Sequence, residues 1–378
     1  MANDAPTGQM LTAENAETLI STLAANARKA QQTLGQSDNK SRSAALVSAA
    51  TAIRKAEADI IAANQRDISR GMMAELADAF IDRLTLTPER IEAMAKGLDD
   101  IAQLDDPIGA ELARWTVPTG LDIARVSTAL GVIGVIYESR PNVTVDAAGL
   151  SIKSGNAVLL RCGSDSQDTS SLLASLMQVG LKDAHLPPTS VQIIPTTDRQ
   201  AVGAMLAAAG EIDVIIPRGG KSLVRRIQQE ARVPVFAHLE GICHLYIASG
   251  ADCRMATDVV VNAKMRRVGI CGAAETILID KAIAQSHVGP IVNALLDAGC
   301  EVRGDKTIKA SNSRVICASD DDFGQEFLAP IIAIKIVENM DDALAHIRQF
   351  GSGHTESIIT SDEKEADRFL SEVDSAIV

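Results

Sequence analysis

Between residues 11 and 104 apolar positions recur every three or four residues. Ala45, Leu46, Ala49, Ala52 and Ile53 keep that spacing, and Ile60 and Ile61 continue the stripe. The pattern predicts three or four amphipathic helices. Ser37 and Asp38 suit the start of the second. Thr87-Pro88-Glu89 opens another, with Pro in the first turn, where its missing N–H costs nothing. One apolar stripe per helix predicts a layer that covers one face of a sheet.

Near residue 110 the period changes. Short β-branched runs at 131–137 (GVIGVIY), 157–160, 191–194 and 213–216 alternate with helical stretches at 143–152, 168–181, 199–208 and 222–231. Strand–helix alternation at this spacing predicts βαβ units and a parallel, doubly wound sheet. A second alternating block follows. Strands are expected at 245–247, 276–279, 331–336 and 357–360, and helices near 257–264, 281–298, 340–348 and 364–373. Residues 304–323 show little periodicity and read as a surface excursion. The fold class is therefore α/β. From Glu338 onward ten acids face three Lys or Arg, a solvated helical surface.

Composition narrows the classes. The 378 residues suit about two or three domains. The net charge of −13 and 2% aromatics exclude a surface that tracks nucleic-acid phosphates or stacks bases. The longest clean apolar run, 129–137, is far short of a membrane span, and the first ten residues lack a basic-then-apolar leader pattern. The six cysteines form no CxxC pair, so neither a metal site nor a disulfide framework is expected. A reduced, cytoplasmic chain is the simplest reading, and in it a single cysteine can serve as a nucleophile.

Several familiar motifs fail. Gly220-Lys221-Ser222 resembles the end of a phosphate-binding loop, but Ile215 stands where that loop needs its first glycine. There is no GxGxxG, GxSxG or HExxH. What remains is a set of cations at expected strand ends, among them Arg140, Lys153, Arg161, Arg218, Lys221, Lys264, Arg266 and Arg267. Beside glycines at helix starts such groups can hold phosphate. Cys271 follows Arg266 and Arg267 in a loop bordered by Gly269 and Gly272. Neighbouring cations favour a thiolate, and glycines permit close approach of a substrate.

Five segments in order carry a resemblance: Tyr137-Glu-Ser-Arg-Pro-Asn142, Ile216-Pro-Arg-Gly-Gly-Lys221, Gly241-Ile-Cys-His244, Asn262-Ala-Lys264-Met-Arg-Arg-Val-Gly-Ile-Cys271 and Gly351-Ser-Gly-His354-Thr-Glu356. Over residues 38–378 the chain resembles the γ-glutamyl phosphate reductase family of the aldehyde dehydrogenase superfamily. The resemblance implies an aldehyde-dehydrogenase-like fold: a helical part of the cofactor domain at 1–110, an oligomerisation element at 111–130, the parallel-sheet cofactor-binding part at 131–240, and an α/β catalytic domain at 241–378. It implies that a C-terminal segment usual in the family is missing beyond Val378.

Carried over by residue, the resemblance makes Cys271 the nucleophile and Asn142 an oxyanion donor. It assigns the cofactor to Arg161, Arg218, Gly219, Gly220, Lys221 and Glu326, and the substrate to Arg140, Lys264, His354 and Glu356. The implied activity is NADPH-dependent reduction of L-glutamyl 5-phosphate, supplied by glutamate 5-kinase, in a homo-oligomer. The run His238-Leu-Glu240-Gly-Ile departs from the hydrolytic members, which carry a general-base Glu where His238 stands. A CoA-acylating or hydrolytic aldehyde dehydrogenase and a non-catalytic nucleotide-binding subunit are the alternatives.

Overall fold

The computed structural model describes residues 12–76, 78–237 and 239–378, with Asp78, Ala79 and Lys221 described by backbone alone. The chain divides into two compact units, Met1–Ala237 and His238–Val378.

The first unit opens with five helices: α1 (Ala13–Gln36), α2 (Asn39–Lys55), α3 (Glu57–Met73), α4 (Asp78–Leu84) and α5 (Pro88–Gln103). The Asp38 carboxylate caps α2 by accepting from the Ser41 amide at 2.7 Å. Thr87 caps α5, with Pro88 in the first turn. The stripe through residues 45–61 is two helices, not one. Ala56 interrupts it at φ −93° and ψ 12°, and both helices turn their apolar residues into one core, so the repeat runs across the break.

A hairpin of β1 (Glu111–Thr116) and β2 (Asp122–Val126) follows. Every one of its strand residues is exposed, Leu112, Trp115, Ile123 and Val126 included. The chain then alternates through β3 (Val132–Tyr137), α6 (Asn142–Lys153), β4 (Ala157–Arg161), α7 (Gln167–Asp183), β5 (Val191–Ile193), α8 (Arg199–Ala207), β6 (Val214–Arg218) and α9 (Lys221–Glu230). The four later strands form a parallel sheet in the order β5-β4-β3-β6.

Both faces of this sheet are covered. Ile133, Val135 and Tyr137 of β3 join Leu46, Ile53, Leu98, Leu173 and Met177. Val132 and Ile136, on the opposite face, join Ile20, Ala24 and Met205. The N-terminal helices are thus not a layer on one face. α1 packs with α8 on one side, and α2 and α5 pack with α6 and α7 on the other. Each helix shows one apolar stripe either way, so periodicity could not tell the sides apart.

The second unit contains β7 (Cys243–Ile247), α10 (Cys253–Met265), β8 (Ala274–Asp280), α11 (Ala284–Asp297), β9 (Glu301–Gly304), α12 (Lys306–Ser311), β10 (Ile316–Cys317), β11 (Ile331–Val337), α13 (Met340–Phe350), β12 (Glu356–Ile359) and α14 (Glu363–Glu372). Its six strands are parallel, in the order β10-β9-β11-β8-β7-β12. One face carries Leu245, Ile277, Ile291 and Ile334, the other Tyr246, Leu278, Leu344 and Phe369. The stretch 304–323, expected as an irregular excursion, supplies α12 and the edge strand β10, and a Ser319–Asp322 capping box fixes the turn after them. A strand of two residues is too short to show a period. No helix among the described residues is long and apolar enough to cross a membrane.

Candidate active site

In the first sheet the chain leaves β3 for β4 on one side, and β6 lies on the other. The switch point between β3 and β6 is where an open parallel sheet leaves a crevice at its carboxyl ends. There β3 runs into Glu138, Ser139 and Arg140, and β6 runs into Gly219 and Gly220. Ser139 has φ +49°, a conformation that a non-glycine residue adopts at a cost. Its hydroxyl bonds the Asp165 carboxylate, which also accepts from its backbone amide. Glu138 N donates to the Arg218 carbonyl at 3.2 Å.

Gly219 and Gly220 precede α9 and differ in what surrounds them. A Cβ on Gly219 would lie 2.7 Å from Glu138 Oε2 and 2.7 Å from Leu223 Cδ2, whereas one on Gly220 would meet open space. The Gly220 amide, at the helix N-terminus, donates to Glu138 Oε2 at 3.3 Å. That donor already holds one anionic oxygen, as a helix start does. Arg218 ends β6 and is exposed. Lys221 opens α9, and its side chain lies outside the described residues.

Arg161 ends β4 and is 7% exposed. Its Nη2 donates to the Thr197 carbonyl at 2.7 Å, and its Nε has no partner among the described residues. Burial lowers its pKa. A buried guanidinium with an unspent donor suits an anionic or hydroxyl-bearing ligand. Asn142 begins α6, and its Nδ2 donates to Asp146 Oδ2 at 3.0 Å. Arg140 is half-buried just before that helix.

In the second unit the candidate residues gather where strands begin. Cys271 is exposed in the loop between α10 and β8, as are Arg266 and Arg267. Gly241 lies against that loop so closely that a Cβ on it would be 1.9 Å from the Cys271 carbonyl oxygen. The Cys243 thiol donates to the same carbonyl at 3.1 Å. Burial pushes that thiol up to about 12, so it remains a neutral donor. Glu326 Oε1 accepts from the Gly241 amide at 2.9 Å.

The segment 351–356 closes around the same strand. Ile242 N donates to Ser352 Oγ at 3.0 Å. The His354 ring nitrogen Nδ1 lies 2.6 Å from Thr355 Oγ1. Glu356 Oε2 accepts from the His244 amide at 2.8 Å and lies 3.0 Å from its Nδ1, both side chains being fully buried. Lys264 is also fully buried and pairs with Glu275. Lys264 and Glu356, expected to face a substrate, are therefore sealed against groups of the protein itself. Glu240 is half-buried, and His238 lies outside the described residues.

Sequence reasoning missed Glu138, Cys243, His244 and Glu275 as parts of this arrangement. The available signal was a lone polar residue within or beside an apolar strand, which becomes informative only once its partner is known.

Two parallel sheets joined in one chain, with a cysteine loop in the second unit, define a class. A glyceraldehyde-3-phosphate dehydrogenase from Methanocaldococcus jannaschii shares the fold at TM-score 0.66 and 16% identity, over 98% of this chain and 86% of that one. Residues 3–307 match the aldehyde dehydrogenase family. Similarity at higher identity is narrower. The γ-glutamyl phosphate reductase of Parvibaculum lavamentivorans is 51% identical over 95% of this chain and 85% of its own length. The crystal structure of γ-glutamyl phosphate reductase from Thermotoga maritima superposes at TM-score 0.90 and 37% identity, covering 95% of this chain and 87% of that one. The chain belongs to the γ-glutamyl phosphate reductases, a family of oxidoreductases within the aldehyde dehydrogenase fold.

Proposed function

We propose that this protein reduces L-glutamyl 5-phosphate to L-glutamate 5-semialdehyde and phosphate with NADPH, the second step of proline biosynthesis, in the cytoplasm. The observation that carries the reading is Cys271. Its side chain is exposed, while its backbone is pinned by Gly241 and Cys243. Of the other cysteines, Cys162, Cys243 and Cys300 are buried and Cys253 is half-buried, while the exposed Cys317 lies in the edge strand β10, not in a loop bordered by arginines and glycines.

The Cys271 thiolate attacks the acyl carbonyl. A C–S bond forms, the C–O bond to phosphate breaks, and phosphate leaves as an anion that needs no strong acid. The Asn142 side-chain amide and the Cys271 backbone N–H donate to the oxyanion. NADPH, when bound, supplies the hydride that brings the acyl group to the aldehyde level. The Cys271 sulfur then departs as the thiolate. Arg161, Arg218, Gly219, Gly220 and Lys221 hold the cofactor, with the unpartnered Arg161 Nε and the Gly220 amide supporting that fit. Glu326 takes the nicotinamide ribose, and Arg140 and His354 take the substrate. The exposed apolar hairpin 111–126 joins one copy to another.

A base suited to water is displaced at His238, so the acyl-enzyme turns over through hydride in the forward direction and phosphate in the reverse, and not through hydrolysis. In the reverse direction, NADPH formation from the semialdehyde should require inorganic phosphate, with arsenate able to replace it. Cys271→Ala should lower turnover by at least about a thousandfold and leave NADPH binding intact. Sustained turnover without phosphate, lost in Glu240→Gln, would overturn the phosphorolytic reading.

A further inference from the structure

The loop that carries Cys271 leaves α10 after Met265 and enters β8 at Ala274. Just beyond its two ends, in α10 and β8, stand Lys264 and Glu275, both fully buried, with Lys264 Nζ donating to Glu275 Oε2. The pair closes the base of the loop as a single buried link.

Glu275 has a second set of partners. Its Oε1 lies 3.4 Å from the Leu328 amide. The backbone amides of Leu328 and Phe327 both favour its charged form, against a burial that pushes its pKa up to about 6. The Phe327 ring lies 5.9 Å from Lys264 Nζ and 5.1 Å from the Arg303 guanidinium carbon. Leu328 itself has φ +51°, which a leucine adopts only when its surroundings hold it there. Glu275 is one of the groups that hold it.

The circuit closes through Glu326. Its carboxylate accepts from the Gly241 amide, and Gly241 lies directly against the Cys271 backbone. The nucleophile loop and the segment 326–328 therefore meet twice, once at Gly241 and once at the buried pair. Taking one partner out of such a pair leaves an uncompensated buried charge, but replacing both by apolar groups of similar volume is tolerated. A folded protein without the pair is thus accessible.

We propose that Lys264 and Glu275 are a positioning pair that sets the Cys271 loop and the Glu326–Leu328 segment in one register, so that thiol reactivity and cofactor grip depend on the same buried contact. The inference rests on the proposed roles of Cys271 and Glu326, and it adds two residues that touch neither substrate nor cofactor.

The deciding variant is K264M/E275M in the full chain. Three quantities are measured: the melting temperature, the rate at which iodoacetamide modifies Cys271 as mapped by mass spectrometry, and NADPH affinity from its fluorescence. The variant should melt close to the wild type, yet the Cys271 alkylation rate should change about fivefold or more and NADPH should bind about tenfold more weakly, as small misplacements do at reactive sites. Adding Glu326→Gln to it should weaken NADPH by less than about twofold more, because both changes act through one segment.

A folded double variant with wild-type alkylation and wild-type cofactor affinity would overturn the proposal. If the double variant does not fold, E275Q decides: alkylation and affinity must shift together, and a shift in only one refutes a shared register. Should the wild type bind no NADPH, or should Cys271→Ala stay active, the proposed activity fails. The alkylation rate then decides the fate of the pair on its own.

Discussion

In the first unit the candidate groups collect where strands end, beyond Tyr137 and Arg218. In the second they collect where strands begin, at Cys243, Ala274 and Glu356. The carboxyl edge of a parallel sheet comes with a crevice and with helix starts that offer free amides, so glycines and cations placed at the strand ends suffice there. The opposite edge offers neither. It is built from buried side chains instead: His244 with Glu356, Lys264 with Glu275, and the Cys243 thiol on the Cys271 carbonyl. One edge uses what the topology provides, and the other has to supply its own supports.

Acid should separate the two units most strongly. His346 of α13 is buried beside His244, Lys335, Phe323 and Phe350. Burial first, then His244 and Lys335, push its pKa down to about 3. The unfolded chain takes up a proton near pH 6.5 and the folded one only near 3, so the stability from His346 is full above about 6.5 and is lost as pH falls toward 3. Glu275, raised to about 6, works the other way between about 4.5 and 6. At about 1.4 kcal/mol per unit the histidine outweighs the acid, leaving a net loss of a few kcal/mol. The histidine of the first unit, His185, is exposed. Hydrogen exchange from pH 7 to 3 should therefore loosen β7, β8 and β11 before β3 and β4, and His346→Leu should flatten that slope. Equal loosening of both units would break the contrast.

A glycine at each edge sharpens it next. Gly241→Ala puts a methyl into the Cys271 carbonyl, which as backbone cannot turn aside. It should lower turnover about a hundredfold. Gly220→Ala projects into open space, and its φ of −69° suits alanine. That change should alter folding stability by less than about 1 kcal/mol. Melting curves and steady-state rates on the two variants test the pair, and comparable damage from both would deny the second edge its tighter construction.

One more variant tests the first edge alone. Arg161→Ala should weaken NADPH by about 1–3 kcal/mol, the worth of a charge-assisted bond, and NADH much less. Isothermal titration with each cofactor reads the difference. Equal losses would assign the 2′-phosphate to a residue other than Arg161.

Local signals in the sequence were dependable where the cause was local. Asp38 and Thr87 start their helices as their side-chain oxygens suggest, and 131–137 is a buried strand as its aliphatic run suggests. The hairpin 111–126 shows no strand period, because neither face is buried and nothing selects alternate residues. The division of the N-terminal helices between two faces was hidden for the opposite reason, since each stripe was clear but its destination was tertiary. Cys271 stood out by its neighbours. Glu275 did not, because a carboxylate at the head of an apolar strand marks the strand's edge until Lys264 is seen opposite it.

The single tryptophan of the chain, Trp115, sits on the exposed hairpin and not in either core. Excitation of the indole therefore reads out one small surface and little else. Its emission should blue-shift with rising protein concentration when a second surface covers the hairpin. Either core could melt with scarcely a change in the same signal. An optical titration that looks like binding, alongside a fluorescence melt that looks featureless, is the behaviour this placement imposes.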